Sequence, residues 1–300
     1  MKFRRGIALA VMLAAAFKAS PAPAPTSGAR SEMIVTDADR QHWSFLPLAN
    51  PSLPAVKNTA PVRTPVDRFV LAALEQKQLT PSPPANARTL VRRIYFDLIG
   101  LPPTPEQVAA FVQASALNSR AAVAALVDEL LASPHYGERW ARHWLDVVRY
   151  ADSNGAEGDA DRPTAYHYRD FVIRSLNDDR AFDTFARWQI AGDELEPDHS
   201  QAIAATGFIV AGTHSALPAN LMEEERTRER FNELDDMIVT TGSAMLGLTL
   251  GCARCHDHKY DPIPRRDYYR LMSAFNGGDR TEVPLAPLEE VRRQRAVEAE

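Results

Sequence analysis

The sequence predicts an all-α protein, an irregular multi-helix domain, and three observations carry that reading. Apolar residues recur at spacings of three and four along most of the chain, as in Trp140, Trp144, Val147 and Val148. No stretch shows convincing period-two alternation of a half-buried strand. Twice a threonine followed by proline opens a periodic stretch, a hydroxyl cap with φ already set for the first turn.

Residues 1 to 30 carry Lys2, Arg4 and Arg5, an apolar run from Gly6 to Phe17, and small residues including Ala19, Ala22 and Ala24, the pattern of a secretory signal peptide leading into a proline-rich linker. The apolar run is too short to span a bilayer. Arg4-Arg5 invites a twin-arginine route, but that route carries folded proteins, so general secretion is expected. Residues 31 to 63 are aperiodic and extended, with His42-Trp43-Ser44-Phe45 read as a docking segment.

The helical domain is expected over residues 64 to 278. Thr64-Pro65-Val66-Asp67 starts a helix continued by Phe69, Leu71, Ala72 and Leu79. A second runs near Arg88 to Ile99 and stops at Gly100-Leu101-Pro102-Pro103, and Thr104-Pro105-Glu106 restarts the chain. Residues 119 to 132 form an alanine-rich amphipathic helix on Val123, Leu126, Val127, Leu130 and Leu131. Further helices fit His135 to Tyr150, Tyr166 to Leu176, Phe182 to Ile190, Ala202 to Val210, Glu223 to Leu248 and Asp267 to Phe275. Gly155 to Pro163 is a glycine- and acid-rich loop. Residues 279 to 300 read as a charged helical tail leading to a further C-terminal domain, which makes the chain a fragment of a longer one.

Composition is that of a globular protein: 300 residues, 45% hydrophobic and 24% charged. A net charge of −5 with no basic block argues against nucleic acid as a partner. After residue 20, no segment reads as long and apolar enough to cross a membrane.

Both cysteines of the chain lie in Cys252-Ala253-Arg254-Cys255-His256. This CxxCH run is the pattern of covalent haem c attachment: two thiols spaced for the two vinyl groups, with the next histidine delivered to the iron. By chance, that spacing with one of 8 histidines directly behind it arises roughly once in several thousand such chains. Three other chemistries use the same residues. They are a thioredoxin-like dithiol, which wants a preceding strand; a zinc site adding His258, which lacks a second ligand pair; and a disulfide closing a very small loop.

The haem iron needs a second axial ligand or an open face. His143, between Trp140 and Trp144, is the leading metal candidate beside His256. His135, His167, His214, Met245 and Met272 are the others, and a sulfur ligand would raise the potential. Arg139 and Arg142, with Arg149, suit the haem propionates because guanidinium pairs bidentately with carboxylate. Asp257, Lys259 and Asp261 could cap the following helix or hold propionates indirectly. Asp152, Asp159, Asp161, Asp193 and Glu194 could offer oxygen to calcium but match no loop spacing.

Several blocks together resemble the secreted cytochrome c-like domain of planctomycete-type proteins, a domain of unknown function. They are Arg92-Arg93-Ile94-Tyr95-Phe96-Asp97-Leu98-Ile99-Gly100-Leu101-Pro102-Pro103, Ser133-Pro134-His135-Tyr136-Gly137-Glu138-Arg139-Trp140, Arg149-Tyr150-Ala151-Asp152-Ser153 and, most specific, Cys252 to Ile263. The likeness covers roughly residues 42 to 278. Members are usually longer, with a second domain of unknown function downstream.

Together these features lead us to expect a periplasmic or secreted c-type haem protein with bound iron, working in electron transfer or haem redox chemistry. Its partner would be a redox protein or an additional domain of the longer chain. The alternative is a haem-containing module of an extracellular polysaccharide-degrading or glycan-binding system, which the family setting suggests; spacing alone nominates no pair of glycosidase carboxylates.

Overall fold

The computed structural model describes residues 33–156, 159–215, 220–278 and 280–298. The expected signal peptide lies outside the described residues. Among them no strand forms, and the nearest thing to one is an isolated antiparallel bridge between Ser153 and Asp161. The all-α expectation holds.

Helices α1 (Asp37–Arg40), α2 (Pro65–Gln76), α3 (Ala87–Leu98) and α4 (Pro105–Leu131) make up the N-terminal part. Both Thr-Pro starts are present: Thr64 with Asp67, and Thr104 with Gln107, form reciprocal capping boxes. Val91, Tyr95, Phe111, Leu126 and Leu130 pack α3 on α4 in a core of their own. Trp43, in the short 3₁₀ turn Trp43–Phe45, is 80% exposed, so this segment does not dock on the described residues.

α4 corrects one expectation, because by length and composition it is apolar enough to cross a membrane. It is, however, broken at Asn118 (φ −154°, ψ 95°), whose side chain caps the Ala121 N–H, so two helices meet there. Phe111, Leu126 and Leu130 pack into the core that α4 shares with α3.

α5 (Pro134–Val147), α6 (Tyr166–Asn177), α7 (Phe182–Leu195), α8 (Ser200–Ala205) and α9 (Gly207–Val210) surround the largest core, built on Phe171, Val172, Trp188 and Phe208. Gly192 lets α7 lie on α8, since a Cβ there would stand 2.0 Å from the Ala202 carbonyl oxygen. The chain ends with α10 (Glu223–Thr241), α11 (Arg265–Asn276) and α12 (Leu288–Glu298). α10 is shorter than the periodicity suggests. A π-type turn, Gly242–Leu246, unwinds it, and Gly247, in the left-handed region at φ +65°, stops it. Gly242 gives the returning chain room: a Cβ there would lie 2.6 Å from Leu250. That reversal lays the cysteine segment against α10 and α11.

Candidate functional site: the cysteine turn

After the reversal, Leu250–Arg254 forms one 3₁₀ turn. In this geometry residues three apart eclipse, so the sequence divides its side chains between two faces. Leu250 and Ala253 are buried with Leu234, Met237, Ile238, Tyr268 and Met272. Cys252 and Cys255 share the opposite face, both exposed and both free thiols.

Arg254, between the cysteines, clamps the turn. It donates to Asp235 Oδ2 (2.9 Å) and Asn232 Oδ1 (3.0 Å) on α10. The Tyr268 hydroxyl also donates to Asp235, and the Tyr269 hydroxyl to the Arg254 carbonyl (3.0 Å), which ties α11 to the same clamp. Burial and the Asp235 carboxylate push the Tyr268 phenol well above its ordinary range, so it stays a donor.

His256 is exposed, with Nδ1 2.7 Å from the Asp257 carbonyl oxygen. A carbonyl only accepts, so Nδ1 donates, and in the neutral ring Nε2 is then the nitrogen with a lone pair for a metal. His258 is buried and turned inward. Its Nδ1 accepts from the backbone N–H groups of Asp261 (2.8 Å) and Tyr260 (3.3 Å), and its Nε2 stands 3.4 Å from the Thr249 hydroxyl. A zinc site on Cys252, Cys255 and His258 would need that nitrogen. Among the described residues no group of three or more His, Cys, Asp or Glu side chains is placed to hold a metal by itself.

Asp257 caps the following helix, one of the roles expected for it. Its Oδ1 accepts from the Arg265 N–H (2.7 Å) at the start of α11, and Oδ2 from the Met33 N–H (3.0 Å). These two backbone donors hold its carboxyl below the usual range.

The structure thus brings Cys252, Cys255 and His256 together on one exposed turn. Arg139, Arg142 and His143 lie on α5, which packs chiefly on α6 and also on α3, while the turn packs on α10 and α11. Arg142 and His143 are exposed, and the His143 ring meets Trp140 edge-on at 5.3 Å. The Arg139 stem lies under the Gly100 turn, with Nε buried and without a hydrogen-bond partner. Of the other ligand candidates, His135 is engaged by Glu138 (2.8 Å) and His214 by Glu233 (2.6 Å), while Met272 is core. Arg149 pairs with Asp236 on α10, and Asp159 accepts from Gly155 N–H (2.7 Å), closing its own loop.

The residues fit haem. Two exposed free thiols and an exposed histidine directly behind them are the donor types that covalent attachment uses. Sequence reasoning missed the Arg254 clamp and the inward role of His258. The position of Arg254 between two cysteines was the available signal for the first. The second needed the fold of residues 258–263.

An all-helical chain with an exposed two-cysteine, one-histidine turn is the class that fold and site define. The profile of the family described as PSCyt2, a protein of unknown function (DUF1549), matches residues 65–280, and the chain belongs to that family. Comparison with curated proteins and with solved structures returns no match.

Proposed function

We propose that this chain is an exported c-type haem protein that carries electrons or performs haem redox chemistry, akin to the secreted planctomycete-type cytochrome c-like domains. The observation that carries the reading is the pair of exposed free thiols beside an exposed histidine. Cys252 and Cys255 would hold the group as two thioethers, each thiol adding across one vinyl group with no oxidant required. His256 would supply a nitrogen ligand, with Nδ1–H on the Asp257 carbonyl holding its ring orientation. Arg254, Tyr268 and Asp235 keep the turn in register with α10 and α11 while the attached group is added. When bound, haem supplies an iron that cycles between Fe(III) and Fe(II), at a potential set by the second ligand and by burial.

The test is expression in a periplasm equipped for cytochrome maturation, followed by haem staining of a denaturing gel. Wild type should stain, and Cys252→Ser with Cys255→Ser should not. Staining that survives loss of both cysteines, or no staining of wild type, contradicts the proposal. A band at roughly 700 nm in the ferric protein would assign methionine across the iron, and its absence histidine or an open face.

A further inference from the structure

A second site lies away from the cysteines. The loop between α5 and α6, the α8–α9 corner and residues 280–285 line an open cavity of about 790 Å³, a size that takes a small organic ligand rather than an inorganic ion. Tyr150, Arg162, His167, Tyr168 and Arg280 are among its walls.

The two arginines differ in what they have left to give. Arg162 donates Nε to Asn154 Oδ1 (2.8 Å), Nη1 to the Ala211 carbonyl (2.9 Å) and Nη2 to the Gly212 carbonyl (2.6 Å). All three acceptors are neutral, so its charge is delivered to the cavity wall with most of its five N–H donors engaged. Arg149, close by, is matched by Asp236. Arg280 has no hydrogen bond to any described residue, and its Nε is buried without a partner. A guanidinium in that state carries a desolvation cost that an oxyanion would relieve through two parallel N–H···O bonds. Burial and the neighbouring Arg162 and Arg149 lower its pKa, while Glu233 and Asp236 pull the other way.

We propose that this cavity binds a small organic monocarboxylate, held by the Arg280 guanidinium with its body against Tyr150. The acids nearby decide the charge. Arg162, Arg280 and Arg295 against Asp161 and Glu282 leave the lining one positive charge in excess (three minus two), which a single carboxylate balances and a dianion such as phosphate exceeds. The ring decides the body. The Tyr150 hydroxyl is donated to Asp152 (2.5 Å), which leaves its half-buried ring rather than a donor for a ligand, while Tyr168 behind it is core. The site shares no residue with the cysteine turn, so it stands or falls separately from haem attachment.

The test is calorimetric titration of the purified full chain with benzoate, 4-hydroxybenzoate and galacturonate, against benzamide and inorganic phosphate. At least one carboxylate should saturate a single site and bind tighter than phosphate, while benzamide should not bind. Arg280→Met should weaken that carboxylate about tenfold or more, and Arg280→Lys, which keeps the charge but not the fork, by less. Arg280→Met also removes the attraction of Glu233 and Asp236, so folding of each variant is checked by thermal melting; should Arg280→Met fail to fold, Arg280→Lys alone carries the comparison. Failure of all three carboxylates to bind, equal binding by the variant and wild type, or tighter binding of phosphate overturns the proposal.

Discussion

His258 commits both faces of its ring to shaping the segment behind the cysteines. With Nδ1 accepting from Tyr260 and Asp261, its removal strands two backbone donors in a buried place. His258→Phe should therefore cost about 1–3 kcal/mol, read as a lower urea midpoint, whereas His256→Phe should leave the midpoint nearly unchanged because its ring is exposed. Equal effects would contradict the division of labour between the two histidines. Asp257→Ala removes acceptors from Met33 and Arg265 and should lower the urea midpoint. The motif and its adjacent histidine were legible as residues. Which histidine turns outward was not, because that depends on backbone donors three residues further on.

At the scale of elements, helix starts follow from local chemistry and helix ends from tertiary contacts. Asp67 shows the first. Its carboxylate accepts from the Thr64 and Arg63 N–H groups, which lowers its pKa below that of the unfolded chain. The cap is thus fully present above the ordinary carboxylate range and is lost as pH falls through the lower folded value. Followed by NMR through an acid titration, the Thr64 amide should shift with a midpoint below that of a free aspartate; a midpoint at or above it would contradict the cap. Thr64-Pro65 and Thr104-Pro105 were readable for the same reason, since cap and partner lie within four residues. The end of α10 was not. Ser243, Ala244, Met245 and Leu246 continue a helical pattern, and only the approach of Leu250 to Gly242 shows why the chain unwinds there. Gly192→Ala tests such a contact: the added methyl collides with the Ala202 backbone, and α7 and α8 must separate. A loss of about 1–3 kcal/mol in denaturant titration is expected, as for overpacking elsewhere.

Across the whole molecule, the two larger cores are joined by a polar link that no periodicity announces. Arg149, at the end of α5 with a left-handed φ of 52°, reaches Asp236 on α10 with two N–H donors and so ties the largest core to the helix that carries the cysteine turn. Asp236→Ala leaves that guanidinium without its acid and should cost about 1.5–3 kcal/mol, the scale of a charge-assisted hydrogen bond. The all-helical class was legible because every core rests on spacings of three and four. The juxtaposition of Arg149 with Asp236, 87 residues apart, was not, because nothing local specifies it. The same holds for the arginine-walled cavity. The central claim concerns the turn itself, where Cys252, Cys255 and His256 face outward together. Its most direct test is acid–acetone extraction of the purified exported chain, followed by a pyridine haemochrome spectrum of the precipitate. Haem remaining with the protein, and lost from it when both cysteines are replaced, is the result this account predicts; complete extraction of haem from the wild-type chain would contradict it.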